Sequence, residues 1–116
     1  MAHSKRSERV GDLLLKEISQ ILLKEIKDPR IGFATLTKIE VSKDLRYSKV
    51  YVSIMGEEAD KMSAMEGLSS AAGYIRGELW KRLRIKYIPE LTFKLDNSIE
   101  YGDHIAQILE KIKKES

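Results

Sequence analysis

The densest chemistry in the chain lies between Gly73 and Tyr87. There Arg76, Lys81, Arg82, Arg84 and Lys86 stand against a single acid, Glu78, giving a net charge of +4 over fifteen residues. The whole chain carries +3, so everything outside this stretch sums to −1. Cations spread along a ridge suit a phosphate backbone better than a tight pocket does, and the arginine fork adds a geometry that lysine lacks. With Ile75, Leu79 and Leu83 as a buried helical stripe, a turn of about 100° per residue sets Arg76 and Arg82 roughly 60° to either side, and Lys81 and Arg84 on the opposite face. The same pattern also fits a merely solvated helix face. Two smaller basic groups, Lys5, Arg6 and Arg9 and then Lys43 and Arg46, stand near a predicted helix start and a predicted turn. Cations at a helix N-terminus oppose its dipole, which favours a partner for the first group; a flexible tail is the alternative. Tyr47, Tyr51, Tyr74, Tyr87 and Trp80 are of the type that stacks on bases, yet aromatics on helices and strands ordinarily complete a core. Only Tyr51, on the outward face of a predicted strand, is taken as a stacking candidate.

Little else in the chain suits catalysis. His3 stands near the terminus and His104 beside Asp103, and no HExxH, Walker or GxSxG spacing occurs. Asp28, Asp44 and Asp96 stand at turns or strand ends, where aspartate serves local hydrogen bonding. Zero cysteines exclude a disulfide framework, a thiol nucleophile and a cysteine zinc site. The expectation is a protein with no catalytic residue, no metal and no cofactor.

The elements that position the basic groups follow from periodicity. At 116 residues, 42% apolar and 34% charged, the chain is expected to form one compact domain over 1–116 with a solvated surface. No run approaches the ~20 apolar residues of a membrane helix, and MAHSKRSERVGD shows no secretory signal, so a cytoplasmic location is expected. Val10, Leu13, Leu14, Ile18, Ile21 and Leu22 form one stripe of a helix from Arg6 to Ile26, widened by Leu15, Leu23 and Ile26 and ended at Asp28-Pro29. Thr35 to Ser42 alternates, with Thr35, Thr37, Ile39 and Val41 on one face and Leu36 on the other. After Lys43-Asp44-Leu45, Tyr47 to Met55 alternates again with Ser48, Val50, Val52 and Ile54 inward, which predicts a hairpin. Helical spacing returns with Met62, Met65, Leu68 and Ala72, then Ile75, Leu79 and Leu83; two helical pieces with a kink at Gly73 are predicted. Leu91, Phe93 and Leu95 mark a third strand after Pro89, and Ile105, Ile108, Leu109 and Ile112 a last helix over about 99–114. The order helix, strand, strand, helix, helix, strand, helix is an α+β layer, its three-stranded sheet covered by helices on one face and open on the other.

Three segments carry a resemblance. SERVGDLLLKEISQILLKEIKDPRIG, VSKDLRYSKVYVS and AAGYIRGELWKRLRIKYIPELTFKLDNSIEYG, in this order and spacing, resemble the bacterial ribosome-binding factor A family over nearly the whole chain. The resemblance implies a KH-like fold of type II, α-β-β-α-kink-α-β-α. An ordinary KH domain clamps a nucleic-acid backbone with a GxxG loop. Here glycines stand at 11, 32, 56, 67, 73, 77 and 102, no two of them three apart. Ala71-Ala72-Gly73 corresponds to the Ala-x-Gly kink of the family. The implied function is assembly of the 30S ribosomal subunit, with contact to 16S rRNA, promotion of its 5′-end maturation and importance in the cold. A monomer with no membrane and no small-molecule substrate is expected. Contacts to RNA are assigned to Arg76, Lys81, Arg82, Arg84 and Lys86, supported by Arg6, Arg9, Lys43 and Arg46. The competing readings are a KH-like binder of other specificity, a module that docks a protein on its open sheet face, and an unrecognised hydrolase.

Overall fold

The computed structural model describes residues 4–32 and 34–97. The elements are α1 (Lys5–Lys24), β1 (Ala34–Val41), β2 (Tyr47–Ile54), α2 (Glu58–Arg82) and β3 (Glu90–Leu95). The helix expected over 99–114 lies outside the described residues, as do His3 and His104. Helix α1 starts where Ser4 and Ser7 cap each other: the Ser7 N–H donates to Ser4 Oγ at 3.1 Å and the Ser4 N–H to Ser7 Oγ at 2.8 Å. The helix ends at Lys24; Leu23, expected to widen the buried stripe, falls on the side of the helix opposite the buried face and is 84% exposed. Its buried face is Ser7, Gly11, Leu14, Ile18 and Ile21, spaced three and four apart.

The sheet order is β1-β2-β3, with β1 antiparallel and β3 parallel to β2. In the hairpin Leu45 takes a positive φ of 62°, a conformation that side chains disfavour, while its side chain is buried in the core. Ser48, Val50, Val52 and Ile54 all point inward as their alternation requires. Strand β1 departs from simple alternation, because its register against β2 shifts between Leu36 and Lys38. The extra residue, Thr37, reverses the phase: Ala34 and Leu36 before it, and Ile39 and Val41 after it, all pack toward the core. Thr35 is exposed, so the single-face reading of Thr35, Thr37, Ile39 and Val41 fails at the bulge. Thr37 Oγ1 donates to Asp96 Oδ2 at 2.6 Å, so Asp96 acts across the sheet and not only within its own turn.

Both helices cover the same face of this sheet, α1 against β1 and α2 against β3. Helix α2 is one helix and not two: it runs unbroken through Ala71-Ala72-Gly73. The reason lies in its spacing, since Lys61, Ala64, Leu68, Ile75 and Leu79 form a single buried stripe whose phase needs no break at Gly73. An interior glycine weakens a helix by about 1 kcal/mol, which the burial of Ala64, Leu68, Ile75 and Leu79 along this 25-residue helix outweighs. Met62, predicted on that stripe, is 65% exposed; Ala64 takes the buried place. Helix α2 also stops at Arg82, because Leu83 is extended (φ −109°, ψ 138°). Arg84 and Lys86 therefore sit on an extended connection to β3, pointing outward while Leu83 and Ile85 turn inward. No described helix is long and apolar enough to cross a membrane.

Two contacts set how the α1–β1 connection and α1 meet α2. Gly67 packs under the turn after α1, where an added Cβ would lie 2.8 Å from Ile31 Cγ1 and 3.3 Å from Asp28 Oδ2. That turn is held by Asp28, which accepts from the Arg30 backbone N–H at 2.9 Å and from its guanidinium at 2.7–3.1 Å. The Arg30 side-chain hydrogen bonds, then the backbone one, hold the Asp28 carboxyl below its ordinary value. Farther along α2, Arg82 faces three carboxylates: Glu17 of α1, Glu25 at the α1 C-cap and Glu78 of α2 itself. Its guanidinium pairs with Glu25, lies 3.7 Å from Glu17 and 3.6 Å from Glu78. Its side chain is 31% exposed, so this is a partly sheltered network and not a free surface cation.

These contacts give two expected outcomes in urea unfolding. Gly67→Ala should destabilise by about 1–3 kcal/mol through overpacking, although alanine is the better helix former. Gly73→Ala, where a Cβ meets nothing within 4 Å, should stabilise by about 0.5–1 kcal/mol; the reverse ranking would contradict the packing at Gly67. Arg82→Gln should lose about 1 kcal/mol, and less at high salt, while Arg84→Gln stays within about 0.5 kcal/mol of the parent. Equal melting of the two glutamine variants would remove Arg82 from the helix junction.

Candidate nucleic-acid interface

Parallel pairing of β2 with β3 puts the starts of both strands at one end of the sheet, with Tyr47 opposite Glu90. The Glu90 N–H donates to the Arg46 carbonyl at 2.8 Å, which joins the hairpin turn to the connection leaving α2. The first turns of α1 arrive at the same end: Arg6, Leu45, Arg84, Lys86 and Tyr87 line one depression of about 220 Å³. Three basic groups that are far apart in the chain thus converge. Arg6, Arg9, Lys43, Arg46, Lys81, Arg84 and Lys86 are all exposed. Arg6 and Arg9 lie on α1 itself, not on a flexible tail.

The predicted cations divide by what they already hold. Lys81 is 75% exposed and has only a 3.5 Å contact to Glu78. Arg76 donates from Nε at 3.2 Å and from Nη2 at 2.8 Å to the Ile88 carbonyl, which fastens the 83–89 connection back onto α2. Arg82 is occupied by its three carboxylates and lies in the α1–α2 junction. The cations therefore do not form one ridge along a helix. Arg84 and Lys86 belong to an extended segment, and the continuous surface is built from three segments by tertiary structure. Arg82 neutralised by glutamates offers less to an incoming phosphate than Arg84 does.

The aromatics also fall differently from expectation. Tyr51 has Lys38 Nζ 4.5 Å from its ring centroid, and its hydroxyl points at Glu40 Oε2 at 3.5 Å. The stacking candidate is thus already covered on one face. Tyr47, Tyr74, Tyr87 and Trp80, read as core residues, are instead 55%, 51%, 56% and 61% exposed. The Tyr74 hydroxyl reaches Glu25 at 3.4 Å, and partial desolvation followed by the Glu25 charge raises its pKa. The signal that sequence reading passed over is the spacing of Gly73, Gly77 and Trp80, four and then three apart, which puts all three on one face of α2 away from the buried stripe. Among the described residues no group of three or more His, Asp or Glu is placed to hold a metal ion.

The fold and this basic end can be set beside known proteins. The family model described as ribosome-binding factor A matches residues 6–109. The protein of that name from Caldanaerobacter subterraneus subsp. tengcongensis is 55% identical over 111 residues, covering 95% of this chain and 91% of that protein. A Thermotoga maritima solution structure is 33% identical, with a TM-score of 0.71 over 86% of this chain and 95% of that one. A Thermus thermophilus ribosome-binding factor A homology model, fitted into a cryo-EM map of a 30S complex, is 25% identical, with a TM-score of 0.65 over 78% of this chain and 96% of that one. The matched span contains α1 from Arg6 onward, the sheet, α2 and every basic residue assigned to RNA contact, and on this evidence the chain belongs to the ribosome-binding factor A family.

Proposed function

We propose that this protein is a 30S subunit assembly factor that binds the immature subunit through 16S rRNA, as a single KH-like domain of type II without a GxxG clamp. The observation that carries the proposal is that Arg6 of α1 and Arg84 and Lys86 of the 83–89 connection line one depression beside the hairpin turn, whose Arg46 carbonyl accepts from the Glu90 N–H. That surface has the form phosphate contact needs, with cations on several segments spread over an edge and free of internal partners stronger than solvent. The 30S complex into which the Thermus thermophilus relative was fitted supports the choice of partner. Arg76 and Arg82 act in this account as positioning residues: Arg76 holds the 83–89 connection and Arg82 holds α1 on α2.

The factor works by binding alone. If it binds one rRNA arrangement more tightly than another, it shifts the population toward the first by no more than the difference in its two affinities. Late maturation of the subunit, including 5′-end processing of 16S rRNA, would follow from holding the competent arrangement. The benefit is largest in the cold, where misfolded RNA helices escape slowly. It does so in the cytoplasm, as a monomer with no cofactor.

Binding to gradient-purified immature 30S subunits across a salt series tests the proposal. With about five phosphates neutralised, log affinity should fall against log salt with a slope near −4. The double variant Arg84→Gln/Lys86→Gln should reduce that slope by about 1–2 and weaken binding, with an unchanged melting temperature. A double variant that binds with the parent's affinity and slope would make the basic end a solvated surface and end the proposal.

A further inference from the structure

Beside the basic depression runs a groove of about 560 Å³, with Gly73 and Gly77 as its floor on α2, Trp80 and Tyr87 as its walls, and Arg76 and Lys86 at its rim. The groove shares Lys86 and Tyr87 with the depression that Arg6 and Arg84 line. Trp80 is 61% exposed, and among the described residues no cation, ring or hydrogen-bond acceptor engages its indole. Tyr87 differs, since Lys86 Nζ lies 5.4 Å from its ring centroid. A large, unengaged indole on a solvent-facing helix surface gives up the favourable burial that tryptophan normally makes. The glycines add to this. Both occupy helical positions, a Cβ on either would meet nothing within 4 Å among the described residues, and neither φ is positive. Packing among the described residues and backbone conformation therefore give no reason for glycine at these two sites, although each lowers helix stability. What the glycines do provide is room against the indole.

We infer that this groove receives one unpaired nucleobase of the bound RNA, stacked on Trp80 above the Gly73–Gly77 floor. The inference rests on the RNA-binding reading above and names what that site reads besides phosphate. Among the described residues no acid lines the groove, and its rim carries two cations, so its charge suits RNA and not an acidic protein segment. The geometry gives a nucleotide both of its needs: a flat apolar face for the base and, one wall away across Tyr87, Arg6 and Arg84 for the adjoining phosphates. A base held in duplex has its faces covered by its neighbours, so the groove selects single-stranded or bulged RNA.

Trp80 is the only tryptophan in the chain, so its fluorescence reports on this groove alone. The full chain is titrated with a single-stranded adenine hexaribonucleotide and with an RNA duplex carrying the same number of phosphates. The hexamer should quench the emission and the duplex should not. Trp80→Ala should weaken hexamer binding by about ten- to a hundredfold, with the salt slope retained because no phosphate contact is lost. Gly77→Leu, which fills the floor where the chain leaves open space, should fold with equal or greater stability and abolish the quenching. Salt-dependent RNA binding with no quenching, and no loss on Trp80→Ala, overturns the groove and leaves the phosphate surface standing. Equal quenching by the duplex overturns base stacking. Absence of salt-dependent RNA binding in the parent overturns this inference and the proposed function together. Loss of subunit binding in Trp80→Ala with hexamer binding intact would assign the groove to a protein contact and contradict the inference.

Discussion

The parallel pairing of β3 on β2 is the constraint from which the rest of the molecule follows. An antiparallel partner could have returned by a short turn, but a parallel one must come back to the end where β2 begins. Helix α2 makes that return, and its 25 residues bring the 83–89 connection next to the hairpin turn at Lys43–Arg46. The hydrogen bond from the Glu90 N–H to the Arg46 carbonyl closes the junction. The first turns of helix α1 join the same end because Gly11 packs against Ile39 and Val41, at the hairpin end of β1. No single helix carries the basic surface; the sheet topology assembles it.

Charge at this end is divided between structure and surface. Arg82 with Glu17, Glu25 and Glu78, and Arg76 with the Ile88 carbonyl, spend their hydrogen-bonding groups inside the protein. Arg84 and Lys86, outward on an extended segment, keep theirs for solvent or a partner. The division has a physical basis. A cation facing several carboxylates is already neutralised where it stands, whereas a solvated cation near other cations contributes its full field to an approaching polyanion. The fastened connection also limits the freedom of Arg84 and Lys86, which reduces the ordering that binding must impose.

Much of the fold was legible because one-sided burial writes a period into the chain. Leu14, Ile18 and Ile21 of the α1 stripe, the inward set on β2 and the alternation of β3 sit where their spacing put them, whereas Leu13 and Leu23 of α1 are exposed. What periodicity missed are local breaks of phase. The bulge at Thr37 reverses β1 and cannot be seen in a run where both phases contain apolar residues. Gly73 read as a kink because glycine weakens helices locally, yet the stripe from Leu68 to Ile75 and Leu79 continues through it. The family resemblance rested on exact segments and survived. The site was only partly legible: the basic residues were visible as a count, but their sorting into free and engaged depends on Glu17 of α1 and Glu25 at its C-cap, which stand tens of residues away. The aromatics were misjudged for a related reason, since a general preference for burial says nothing about a face of α2 on which glycines leave open space beside Trp80.

The central claim is that the basic end faces 16S rRNA in the immature 30S subunit. Because the chain has no cysteine, a single one placed at Lys43 or, at the far end of the sheet, at Glu58 tethers a hydroxyl-radical source at one known point. Primer extension on the 16S rRNA of the complex then maps cleavage from each position. The account predicts strong, localised cleavage from Lys43→Cys and weak or no cleavage from Glu58→Cys. Equal cleavage from both, or cleavage from Glu58→Cys alone, would contradict it.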